Sequence, residues 1–184
     1  LGGGLIETSS EQWMTVVGVT LELVNVLAVV AIAVVLWTPF RQRCPAMALG
    51  YVSVRTIEAG FCAAAALIPI TLLRRIDDAE LLDAVRGDIV GYAIPISFGI
   101  GATLLYVMLY RTGLVPRFIA VWGMIAAPAV ILANTVVIDP VLTAALVLPI
   151  IGNEVFLGIY LIAKGFRSPV AEPSNVGETV RYKL

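Results

Sequence analysis

The stretch LGYVSVRTIEAGFC, residues 49–62, sets Arg55 and Glu58 inside a run otherwise apolar enough to cross a bilayer. In a helix, residues three apart share a face, so the two charges can pair. Ionisable groups at membrane depth are expensive, turn towards the protein interior or a cavity, and mark a function by default. The rest of the chain can be read as the surroundings that hide, or use, this pair.

Composition agrees with a membrane setting. Of the 184 residues, 60% are hydrophobic and 14% charged, against roughly 45–50% and 25% in soluble domains. A net charge of −1 lacks the basic excess that neutralises phosphates, so nucleic acid is excluded as a partner. There is no histidine, which removes histidine-ligated haem, zinc and iron and any Ser-His or Cys-His catalytic arrangement. No metal site and no cofactor are expected. Cys44 and Cys62 form no CxxC motif, and a disulfide between them is not expected.

Five apolar runs are each long enough for about 30 Å of hydrocarbon, which takes roughly 20 helical residues. They cover about 13–37, 47–73, 89–110, 118–138 and 141–163. None shows the alternation of barrel strands, so the fold class is an all-α polytopic transmembrane helix bundle. Arg41, Arg43, Arg111, Arg117, Lys164, Arg167, Arg181 and Lys183 fall on one side. The other side has Arg74, Arg75 and Arg86, diluted by Asp77, Asp78, Glu80, Asp83 and Asp88. The positive-inside rule then makes the C-terminus cytoplasmic and the N-terminal segment 1–12 external. Trp13, Trp37, Tyr51, Tyr110 and Trp122 lie near the expected helix ends, as aromatic belts do.

The connection RRIDDAELLDAVRGD (74–88) has a pattern of its own. Asp77 can cap a short helix with Glu80 three residues on, and Gly87 can end it. Leu81, Leu82 and Val85 share a side, so the segment is expected to rest on the outer membrane surface as an amphipathic connector, with a lid over an outward cavity as the other reading. Residues 167–184 are polar, with Pro and Gly, and are expected to form a flexible cytoplasmic tail. No internal repeat is visible, so an inverted-repeat transporter is not signalled.

Three of the runs carry carboxylates into the membrane: Glu22, Glu58 and Glu154. Asn25 lies about a turn from Glu22, and Asn153 precedes Glu154. With a rise of about 1.5 Å per residue, Asn25 and Glu154 fall about 18 and 20 Å from the outer ends of their runs and Glu58 about 16 Å from the cytoplasmic end of its run, near one central layer. One arginine then faces three glutamates, a formal −2. Arginine stays charged, while desolvation and like-charge repulsion disfavour carboxylates. At least one glutamate is therefore expected to be protonated at neutral pH, or a cation or ligand amine to sit there. Glu22, Asn25, Arg55, Glu58, Asn153 and Glu154 are the candidate ligand- or proton-binding residues; none is assigned a catalytic role. Pro69, Pro95, Pro128 and Pro149 put one proline in each of the last four runs, where bent helices can enclose a pocket. Gly99, Gly101 and Ala102 are expected to mark close helix packing.

The segments LELVNV (21–26), ALGYVSVRTIEAG (48–60), LYRTGLVPRFIAVWG (109–123) and NEVFLGIYLIAKGF (153–166) resemble the bacterial membrane proteins grouped as domain of unknown function 4386. Glu22, Arg55, Glu58, Arg111, Pro116, Arg117, Trp122, Glu154 and Lys164 carry the resemblance. It implies six helices, hence a first helix upstream of Leu1, in keeping with a chain that does not begin with methionine. It also implies a bacterial inner (plasma) membrane, and names no activity.

Three functional readings follow. In the first, the Glu/Arg cluster binds a proton, cation or small amphipathic ligand, with transport as its use. In the second, the protein is a non-catalytic accessory or interaction subunit whose cluster only locks helices, with a protein partner or a second copy beside it. The third is an intramembrane lipid-modifying enzyme with a carboxyl acid–base pair. An enzyme is not the expectation. The lipid bilayer is a partner in all three.

Overall fold

Apolar runs of this length leave the backbone no partner in hydrocarbon except itself, and the chain answers with helices. The computed structural model describes residues 3–72, 79–136 and 139–167, with side chains described from residue 13 onward. Among these residues every regular element is helical, and five helices are long and apolar enough to cross a membrane. The protein is an all-helical, multi-pass bundle.

The elements are α1 (Gly3–Phe40), α2 (Pro45–Leu72), α3 (Ala79–Asp88), a π turn (Ile89–Ala93), α4 (Ile94–Thr112), α5 (Arg117–Thr135) and α6 (Pro140–Lys164). Helix α1 begins well ahead of residue 13, the expected start. Nothing in 5–12 breaks a helix, and once nucleated a helix gains a hydrogen bond for each residue added. A short turn closes α1 onto α2, with the Cys44 amide on the Phe40 carbonyl at 2.8 Å. Pro45 then opens α2, where a missing N–H costs nothing. Gly113 ends α4 at φ 65°, with its amide on the Leu109 carbonyl. Asp139 caps α6 by accepting from the amides of Val141 and Leu142, and Pro140 fills the first helical position.

One expectation is overturned between α2 and α4. Gly87 does not end a surface helix; residues Ala79–Thr112 form one continuous helical run through the π turn. A glycine inside a helix costs only about 1 kcal/mol relative to alanine, less than breaking the backbone ladder in hydrocarbon. The π turn has its own cause. Pro95 has no N–H and its ring crowds the carbonyl four residues back; widening the preceding turn, with the Ile94 amide on the Ile89 carbonyl, makes room for it. The Asp77 cap, Arg74, Arg75, the end of the fourth run at residue 138 and the tail from 168 lie outside the described residues.

Helix α1 packs along α2, α2 along α4, α4 along α5 and α5 along α6. Among the described residues α6 makes no comparable contact with α1 or α2, so these helices form an open arc rather than a closed ring. Small residues allow the close approaches. A Cβ on Gly99 would overlap the Ile131 side chain, and one on Gly123 would overlap the Tyr106 ring. A Cβ on Gly101 would stand 3.1 Å from Arg55 Cδ. Phe40, Tyr51, Tyr106, Met108, Leu109 and Ile119 are fully buried in the resulting core. The connection α1–α2, the connection α4–α5 and the end of α6 share one end of the bundle: Arg111 reaches Met47, and the Arg167 amide reaches the Leu114 carbonyl at 2.9 Å. That end gathers Arg41, Arg43, Arg111, Arg117, Lys164 and Arg167.

Candidate functional site

The buried stripe of α2 runs Ala48, Tyr51, Arg55, Glu58, Ala59, Cys62, Ala65 and Ala66, the spacing of one helical face. The two charges of 49–62 therefore point inward, Arg55 at 8% and Glu58 at 4% exposure. Arg55 Nη1 donates to both oxygens of Glu58, at 2.7 and 3.0 Å. The guanidinium also lies 5.9 Å from the centre of the Tyr51 ring and 5.6 Å from that of Phe98, where the ring faces attract a cation. Its Nε, buried, has no hydrogen-bond partner among the described residues.

Beside this pair is a cavity of about 490 Å³. Asn25 on α1, Arg55 and Glu58 on α2, Phe98 on α4, Asn134 on α5 and Glu154 on α6 all line it, so all five spans contribute. Glu154 makes no ion pair with any described residue; it is close enough to Arg55 and Glu58 to feel both charges. The cavity is the intersection of polar positions from separate helices.

Two of the six candidate residues stand apart. Asn153 is fully buried, but it does not line the cavity. Its Nδ2 donates to the Ile119 carbonyl at 3.3 Å, tying α6 to α5, while its Oδ1 has no partner among the described residues. Glu22 is not part of the central layer either. It accepts from Arg86 Nη2 at 2.5 Å, next to a second, smaller cavity shared with Thr15, Pro69 and Asp83. This corrects the count of one arginine against three glutamates. The continuous helix 79–112 brings Arg86 down beside α1, whereas a surface connector would have left it in water. Two arginines each hold one glutamate, and Glu154 alone is left over.

Arg86 has a further task. Pro69 has no N–H, so the carbonyl four residues earlier, that of Ala65, lacks its helical donor. Arg86 Nε supplies it at 3.2 Å. One side chain thus joins α3 to both α1 and α2.

The residues missed in sequence were Asn134, Phe98 and Arg86. Asn134 carried the same signal as Asn25 and Asn153, an amide within an apolar run. It turns its Nδ2 to the Val130 carbonyl of its own helix at 2.8 Å. Phe98 and Arg86 had no local signal, since each matters through a partner on another helix.

An arc of five helices long and apolar enough to cross a membrane, around a shared cavity, defines a multi-pass membrane protein. Residues 5–165 match the family described as domain of unknown function (DUF4386), and the chain belongs to that family. No curated protein and no solved structure matches it.

Proposed function

We propose that the protein binds a proton, cation or small amphipathic ligand at Glu154 in the central cavity, as part of moving that species within or across the membrane. One observation carries this reading: of the two cavity carboxylates, Glu154 has no arginine partner among the described residues, and it lines open space. An unpaired ionisable group in a membrane interior is costly and persists where a ligand or proton completes it. Arg55 holds Glu58 and does not contact the ligand as an anion clamp. The positive end of the bundle argues for a cytoplasmic C-terminus, and the plasma membrane of a bacterium is the proposed location.

The test is flux or binding in proteoliposomes. Glu154→Gln is expected to abolish ligand-coupled or proton flux while leaving the fold intact; unaltered flux would remove the proposal.

The second reading, an accessory subunit with a structural cluster, is favoured by the in-helix pairing of Arg55 with Glu58 and by the tie from Asn153 to Ile119. Stable co-purification of one partner from native membranes, with Glu154→Gln silent in every binding assay, would select it. We propose no catalysis, because Glu58 is committed to Arg55 and the two carboxyls do not form a free acid–base pair. Turnover on extracted native lipids is the check, with none expected.

A further inference from the structure

The central cavity narrows the choice among proton, metal cation and amphiphile. Its formal charge is −1, the Arg55–Glu58 pair cancelling and Glu154 remaining. A single positive charge completes it. Glu58 neutralises Arg55 through Nη1, and the Tyr51 and Phe98 rings lie against the guanidinium, so the uncompensated charge of the cavity is that of Glu154. A metal ion is also poorly matched: among the described residues no group of three or more acidic or cysteine side chains is placed to hold one. A bare proton needs no cavity, and about 490 Å³ is within the roughly 300–1,000 Å³ of small-molecule sites.

The lining specifies more. An ammonium carries three donors. Glu154 offers its carboxylate, and Asn134, which also lines the cavity, has its Nδ2 on Val130 and so keeps Oδ1 as an acceptor. The remaining lining is largely aliphatic, including Val29, Ile32, Ile94, Val147 and Ile150, which suits an alkyl chain. Finally, α1 and α6 both line the cavity without packing closely on each other among the described residues.

We infer that the ligand is an amphiphile with one ammonium head, its head on Glu154 and its alkyl chain along the aliphatic lining of the cavity. This rests on the reading of Glu154 as the binding carboxylate. The same chemistry is presented by an amino-headed lipid and by a free long-chain amine.

The experiment uses purified protein in phosphatidylcholine nanodiscs, with dodecylamine, dodecanol, dodecanoate and ethylamine as probes, read by native mass spectrometry. The wild type is expected to retain dodecylamine at least ten-fold better than the alcohol, the acid or ethylamine. Glu154→Gln should lose that preference. Val147→Trp, which fills the cavity and keeps the carboxylate, should lose binding as well, with thermal unfolding confirming that both variants are folded. Equal retention of dodecanoate would overturn the cationic head. Glu154-dependent retention of ethylamine or sodium as strong as that of dodecylamine would overturn the amphiphile and leave the carboxylate site standing. No difference between wild type and Glu154→Gln with any probe, together with unchanged proton flux, would overturn both. An amino lipid carried through purification by the wild type and absent from Glu154→Gln would assign the head group to the bilayer; retention of added dodecylamine alone would assign it to a free amine.

Discussion

Arg55 illustrates how a membrane interior turns a charge into a commitment. Removing one partner of a buried pair leaves the other charge uncompensated, at a cost of about 3–5 kcal/mol, whereas replacing both with apolar groups is often neutral. Arg55→Ala is therefore expected to lower the thermal unfolding temperature sharply in mild detergent, and Arg55→Leu with Glu58→Leu to recover most of the loss. If the single and double variants were equally unstable, the pair would not be the cause. Glu154 behaves differently because no described residue forms an ion pair with it. Glu154→Gln should change stability by less than about 1 kcal/mol, as expected where no cluster of contacts is lost. Calorimetry of the two variants side by side separates the structural pair from the ligand-facing carboxylate.

Prolines and glycines decide how the helices meet. Pro69 exposes the Ala65 carbonyl, and Arg86 closes it from α3 while holding Glu22 on α1. Hydrogen bonds to charged groups contribute about 1.5–3 kcal/mol, less where solvent screens them, and this pair is about one-third exposed. Arg86→Ala should cost about 1–2 kcal/mol. In a Pro69→Ala background the cost should fall, because the restored amide of residue 69 satisfies Ala65; an unchanged cost in the double-mutant cycle would contradict the link. At the α4–α5 contact, Gly123→Ala drives a methyl into the Tyr106 ring and should destabilise by about 1–3 kcal/mol. Tyr106→Leu in the same chain should return part of it, as chemical unfolding can measure.

The whole bundle has a charge axis and an open side. Six basic residues lie at one end, the end proposed to be cytoplasmic by the positive-inside rule. In a chain with Cys44 and Cys62 replaced by alanine, a cysteine at Gln42 should resist a membrane-impermeant maleimide applied from outside, and one at Val141 should react. The reverse labelling would invert the assigned topology. The cavity is lined from all five long helices, and it is there that the amine-headed amphiphile is proposed to bind.

Hydropathy and length were enough to read the helical, multi-pass class and the approximate spans, because backbone satisfaction in hydrocarbon is a local requirement met within each helix. The pairing of Arg55 with Glu58 was equally readable, since three residues along a helix are neighbours wherever that helix packs. The depth argument placed Asn25, Glu58 and Glu154 on one cavity, but it measured only height along each helix. Rotation and neighbour choice are set by packing between helices. That is why Glu22 went to Arg86, Asn153 to the Ile119 carbonyl and Asn134 into the cavity, and why the gap between α1 and α6 had no trace in the order of residues.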